Sequence, residues 1–181
     1  MSYRAVSLRA AYAVIFVASF AGFAASAQAR SDEPSSGTGK CSNFEPGSRG
    51  WRKCMGQVKP DAEEAYALGY WLAKTGDFAE ALVVLRERAD QNDPRVLTMI
   101  GFATRHLGRV DEALGYYEKA LAANPDATTT RQYLGEAFLQ KGEPDKAREQ
   151  LAEIAARGGA QSEDYVMLAA AIESFERNGK T

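Results

Sequence analysis

From Asp61 onward apolar residues recur at spacings of three and four, the period of helices buried along one face, and the pattern itself repeats. Gly69, Gly101 and Gly135 stand at intervals of 32 and 34 residues. The same intervals separate Gly76, Gly108 and Gly142, and again Ala81, Ala113 and Ala147. Three independent columns with one spacing predict helix-turn-helix repeats at about 62–93, 94–127 and 128–161. The most complete unit is Pro94 to Ala127, where Leu97, Ile100, Gly101 and Thr104 lead to Ala113, Tyr117, Ala120 and Pro125.

The residue types in these columns have physical reasons. A mid-helix glycine costs about 1 kcal/mol against alanine, so Gly69, Gly101 and Gly135 imply close approach of the second helix, with Ala81, Ala113 and Ala147 expected to face them. Gly76, Gly108 and Gly142 fit the left-handed residue that ends each first helix. Asp77, Asp111 and Asp145 fall near the start of each second helix, where a carboxylate complements exposed N–H groups. The first repeat is two residues short, and Asn92-Asp93-Pro94 replaces its terminal proline turn.

After Gly158-Gly159, Ser162 opens a last helix reaching about Asn178. Tyr165, Leu168, Ala169 and Ile172 follow Arg131, Leu134, Gly135 and Phe138 by 34 residues, which places them in first-helix positions of a fourth unit without a second helix. Such a half-repeat closes an array, with Glu163, Glu173, Glu176 and Arg177 as a polar outer face.

The amino terminus is of another kind. Arg4 and Arg9 precede an apolar run from Ala10 to Phe23, broken only by Ser19 and Gly22. Two Ala-x-Ala sites follow, ending at Ala27 and Ala29, so residues 1–29 read as an export signal. The minority reading is an uncleaved anchor, since the run approaches the ~20 residues of a spanning helix. A lipoprotein signal fits less well, because Cys41 follows Gly37-Thr38-Gly39-Lys40 and not the apolar run. Residues 30–40 contain nothing apolar to offset the entropy of ordering and read as a linker.

Residues 41–60 form a short segment of turn formers around Phe44 and Trp51. In an exported protein Cys41 and Cys54 are best explained as a disulfide stapling a knob too small for a core of its own, worth about 3 kcal/mol. The alternatives are a redox pair, which would more typically be Cys-x-x-Cys, and a metal site, for which only Cys41, Cys54 and the distant His106 are available. We read Trp51 as packing on the disulfide; the alternative is an exposed binding patch with Arg49 and Arg52.

On these columns, residues 62–178 resemble tetratricopeptide repeat proteins, and with the export signal and knob the chain resembles small exported bacterial proteins of that class. The run Asn92-Asp-Pro-Arg-Val-Leu-Thr-Met-Ile-Gly-Phe-Ala carries much of the narrower likeness. The resemblance implies an all-α solenoid of three repeats plus a capping helix, its first helices lining a concave groove that accepts a peptide or partner helix. By offset the first helix would contribute Glu63, Tyr66, Tyr70 and Lys74 to that groove. The second would contribute Arg95, Thr98, Phe102, Arg105 and His106, and the third Thr129, Gln132, Glu136 and Gln140. Chaperone-binding members clamp a terminal carboxylate with Lys and Asn where this chain has Tyr66 and Tyr70, which argues against that ligand class. Tyr66, Tyr70 and Phe102 with Arg95 and Arg105 suit instead an extended segment carrying apolar and acidic residues. The competing role for these aromatics is packing between repeats. His106, the sole histidine, is either a pH sensor or a partner of the helix-end carbonyls.

Composition narrows the function classes. The 181 residues carry a formal charge of −2, and removal of the first 29 leaves 20 basic and 24 acidic residues. A mildly acidic protein has no global electrostatic reason to bind nucleic acid or anionic lipid. No G-x-S-x-G, phosphate-binding glycine loop or H-E-x-x-H occurs, and the carboxylate pairs Asp32-Glu33, Glu63-Glu64 and Asp111-Glu112 read as solvated or capping residues. The expectation is a non-catalytic protein-interaction scaffold in the bacterial cell envelope, periplasmic or secreted, without cofactor or metal. A structural subunit of a larger envelope complex is the alternative, and a redox or enzymatic protein using Cys41 and Cys54 the distant one. Leu82, Val83 and Val84 leave room for weak homodimerisation through the convex face.

Overall fold

The computed structural model describes residues 41–57 and 61–179; the expected export signal and linker, and the end of the knob at 58–60, lie outside the described residues. Eight helices and no strand are found there. They are α1 (Arg49–Gln57), α2 (Ala62–Lys74), α3 (Phe78–Arg88), α4 (Pro94–His106), α5 (Val110–Ala123), α6 (Thr128–Gln140), α7 (Pro144–Gly158) and α8 (Glu163–Asn178).

Local chemistry sets the boundaries. Asp61 and Glu64 form a reciprocal capping box at the start of α2. Asp93 caps α4 through the Arg95 N–H, with Pro94 in the first turn. Ser162 caps α8. Each first helix then ends in the same way. Gly76, Gly108 and Gly142 have φ of 92°, 81° and 75°, and the following N–H of Asp77, Arg109 and Glu143 donates to Leu72, Thr104 and Phe138. This double turn-back needs a residue without a Cβ penalty at positive φ, which is why three glycines fall in one column.

The aspartates after those turns behave differently from one another. Asp77 occupies the N-cap of α3 yet makes no side-chain bond to the backbone; its carboxylate accepts instead from Arg52 and Thr75. Asp111 and Asp145 lie in the first turns of α5 and α7, where they pair with Lys141 and Arg148.

The helices pack as the hairpins α2–α3, α4–α5 and α6–α7, with successive first helices side by side and α8 against α6 and α7 in the place of a fourth first helix. The mid-helix glycines permit this approach, but the alanines are not what faces them. A Cβ at Gly69 would lie 2.4 Å from Leu85, one at Gly101 2.6 Å from the Tyr117 ring, and one at Gly135 2.6 Å from Leu168. The large residue one helical turn beyond the alanine fills the notch in the first two repeats, and the capping helix fills it in the third. Ala81, Ala113 and Ala147 are themselves fully buried.

The disulfide-closed segment is not the loop that its turn formers suggest. Ser48 caps α1 by accepting from the Trp51 N–H, and Trp51, Met55 and Cys41 join the core of the first repeat with Tyr66, Leu68 and Leu85. Cys41 and Cys54 are bonded, with Cα atoms 5.9 Å apart. Trp51 is buried, so the reading as an exposed patch with Arg49 and Arg52 is not what the fold shows. Arg52 ties the segment to the α2–α3 turn through Thr75 (2.8 Å) and Asp77 (3.0 Å). On α3, Leu82 and Val84 are buried and Val83 alone of that trio is exposed.

Candidate functional site: the face of the first helices

Helices α2, α4 and α6 present the expected groove positions on one side, and their polar contacts run between neighbouring repeats. Arg95 on α4 donates to Glu63 on α2 (2.8 Å) and to its own cap Asp93 (2.6 Å), with its guanidinium 4.6 Å from the Tyr66 ring centre. Those hydrogen bonds, Asp93 first and then Glu63, hold its pKa above the ordinary arginine value. Thr98 and Thr130 share a 2.7 Å hydroxyl hydrogen bond. Thr129 lies at the far end, where it donates to Asp164 of α8.

Further along α4, Arg105 pairs with Glu136 of α6 at 2.6 Å, and Gln132 donates to the other Glu136 oxygen at 2.6 Å. Arg105 is only 5% exposed. Both arginines expected to meet a partner's carboxylates therefore already hold carboxylates of this chain. Removing one partner of such a pair strands the other, so each is a structural element first.

The aromatic residues are also walls more than free faces. Tyr66, Tyr70, Thr98 and Gln132 are buried, and the Tyr66 and Tyr70 rings meet at a tilt of 55° with centres 6.2 Å apart. Phe102 is half-buried among Phe78 (6.2 Å), His106 (4.4 Å) and Tyr133 (4.8 Å). Phe78 and Tyr133 were not among the expected groove residues; Phe78 opens α3 and Tyr133 sits one place after Gln132.

The open part of this face is at the carboxyl ends of the first helices, where Lys74, His106 and Gln140 occupy corresponding positions and all are exposed. His106 does not seek the helix carbonyls. It stacks flat on Phe78, with ring centres 4.6 Å apart and planes 8° from parallel, and lies 3.4 Å from Arg105. Burial against these rings, then the charges of Arg105 and Lys74, push its pKa below the ordinary histidine value. Lys74 extends over three rings, those of Phe102 (5.6 Å), Tyr70 and Tyr133 (both 6.0 Å), and its ammonium is 3.5 Å from the Tyr133 hydroxyl.

No group of His, Cys, Asp and Glu among the described residues is arranged to hold a metal ion. Cys41 is buried beneath the first repeat, and both cysteines of the sequence are consumed in the disulfide.

Comparison with known proteins places this geometry. Residues 105–172 match the tetratricopeptide repeat family. The fold is that of tetratricopeptide repeat proteins. Among solved structures the chain is similar to PcrH in complex with the chaperone binding region of PopD, at 23% identity over 65% of this chain and 92% of that one, with a TM-score of 0.54. It is also similar to the type III secretion translocator chaperone SycD of Yersinia enterocolitica, at 19% identity over 74% and 97%, with a TM-score of 0.55. A third similar structure is MamA, at 17% identity over 72% and 90%, also with a TM-score of 0.55. No curated protein matches the sequence. At these identities the likeness is one of fold, and it extends over nearly the whole length of each neighbour. No helix among the described residues is long and apolar enough to cross a membrane.

Proposed function

We propose that this protein is a non-catalytic binding scaffold of the bacterial cell envelope, which receives a segment of a partner protein on the face formed by α2, α4 and α6. The observation that carries the reading is the half-open aromatic floor of Phe102, His106 and Tyr133 beneath the exposed Lys74, built jointly by α2, α4 and α6. Aromatic rings with polar rims are the chemistry of peptide recognition, and repeat arrays offer it on a continuous surface. PcrH, a similar fold, is described in complex with a segment of another protein, which makes the same use reasonable here. The export signal read at residues 1–29 and the disulfide together support an envelope location, where cystines persist.

The test is site-specific photocrosslinking of the full-length chain in living bacteria, with the photoreactive residue at Gln140 on the proposed face or at Val83 on the opposite helix layer. Both positions are exposed. A discrete adduct from Gln140 that is absent from Val83, recovered from the envelope fraction, is expected. Adducts from Val83 alone would place binding on the convex side, and a chain found only in the cytoplasm would overturn the location.

A further inference from the structure

Each cation of the concave face has a distinct electrostatic situation. Arg95 is held by Asp93 and Glu63, and Arg105 is buried against Glu136. Lys74 has no carboxylate partner among the described residues: its polar contact is the Tyr133 hydroxyl at 3.5 Å, and the rest of its surroundings are aromatic rings at 5.6–6.0 Å. Cation–ring attraction at that range is worth little beside an ion pair, and it leaves the formal charge uncompensated. The neighbouring groups do not supply the missing anion. His106 is an imidazole and supplies no anion in either protonation state, and Glu136 is already engaged by Arg105 and Gln132.

We infer that Lys74 is the charge-reading residue of the face, and that the partner segment carries an aspartate or glutamate side chain seated on Lys74 beside an apolar residue resting on Phe102. This rests on the proposed use of the concave face, and it shifts the anionic contact from Arg95 and Arg105 to Lys74, the cation among these three that has no carboxylate partner among the described residues. The ammonium stands over the rings of Tyr70, Phe102 and Tyr133, so a carboxylate that reaches Lys74 brings its neighbouring side chain within reach of the Phe102 ring. Lys74 needs no rearrangement of the array to be reached, because it is exposed and makes no ion pair that must first be broken.

The experiment selects short random peptides on the full-length, oxidised protein, then measures the binders by fluorescence anisotropy against the native chain, Lys74→Gln and Gln140→Trp. The last substitution obstructs the face from an exposed position, and circular dichroism checks that each variant is folded. Expected are binders enriched in Asp or Glu next to an apolar residue. Changing that acid to its amide should weaken binding to the native chain about fivefold, the upper range for an exposed ion pair, and leave binding to Lys74→Gln nearly unchanged. Binders blocked by Gln140→Trp that show no acidic enrichment, or that lose equal affinity with either chain, would overturn the role of Lys74 while leaving the concave site standing. Binders indifferent to Gln140→Trp would remove the concave site and the inference with it.

Discussion

Replacing Gly101 by alanine sets two known effects against each other at one atom. In a helix interior the change removes about 1 kcal/mol of unfavourable glycine propensity. The added Cβ would stand 2.6, 2.9 and 3.1 Å from three atoms of the Tyr117 ring, where carbon contacts settle at about 3.5–4.0 Å. Tyr117 is fully buried and its ring cannot bend aside, so about 1 Å must come from separating α4 and α5. Overpacking of this kind costs about 1–3 kcal/mol, and at a rigid ring the upper part of the range applies. The net expectation is destabilisation by about 1–2 kcal/mol, or roughly 4–8 °C in melting temperature. Gly115, in the interior of α5, is the control. Nothing lies within 4 Å of a Cβ there, so Gly115→Ala should gain up to about 1 kcal/mol. Urea unfolding followed by circular dichroism reads both, and an unchanged slope shows that the midpoint shift is a stability change. In a double-mutant cycle, Tyr117→Ala should remove the penalty at position 101, because the new methyl then enters the space vacated by the ring. If Gly101→Ala proved as stabilising as Gly115→Ala, the close-approach account of all three mid-helix glycines would be refuted.

Two further outcomes follow from the same contacts. His106 should titrate below the ordinary histidine value by NMR, and Lys74→Met should move it back up by removing one of the charges that depress it. Because the folded value lies below the unfolded one, the unfolded chain binds more protons as pH falls past about 6.5; stability should decline there, and less so in His106→Gln. Asp164 is buried between α8 and α6 and accepts from Thr128 (2.7 Å) and Thr129 (3.1 Å). Asp164→Ala leaves those hydroxyls without their acceptor and should cost about 1–3 kcal/mol, with hydrogen exchange rising first in α8; uniform loss of protection along the array would contradict a local capping role.

What was legible in the chain was the backbone, and what was not was the company each side chain keeps. The turn glycines needed only a local rule, since positive φ after a helix is a property of a few consecutive residues. The helical pairing needed only the period. The partner of Gly135 is another matter: periodicity points to the second helix of its own repeat, but Leu168 arrives from α8, which packs against both α6 and α7. In α1, two glycines in a run of nine residues leave too short a stretch for periodicity to show, and the local signal is Ser48 capping the Trp51 N–H.

Arg95 and Arg105 find their carboxylates on neighbouring helices. Glu63 and Arg95 occupy equivalent places in successive repeats, 32 residues apart, so the pair was visible by laying one repeat over the next; read one repeat at a time, each looked like a free groove residue. Along the first helices such polar contacts join every neighbouring pair: Glu63 to Arg95, Thr98 to Thr130, Arg105 to Glu136, Thr129 to Asp164. Hydrogen bonds are directional where apolar contacts are not, so these joints fix the spacing of α2, α4, α6 and α8. On the proposed function, a face fixed in this way would need little further ordering on binding, and less of the interaction energy would be lost to it. The arginines contribute to that spacing through carboxylates of this chain. Lys74, exposed and without a carboxylate partner among the described residues, stands beside these joints, over the Phe102 ring.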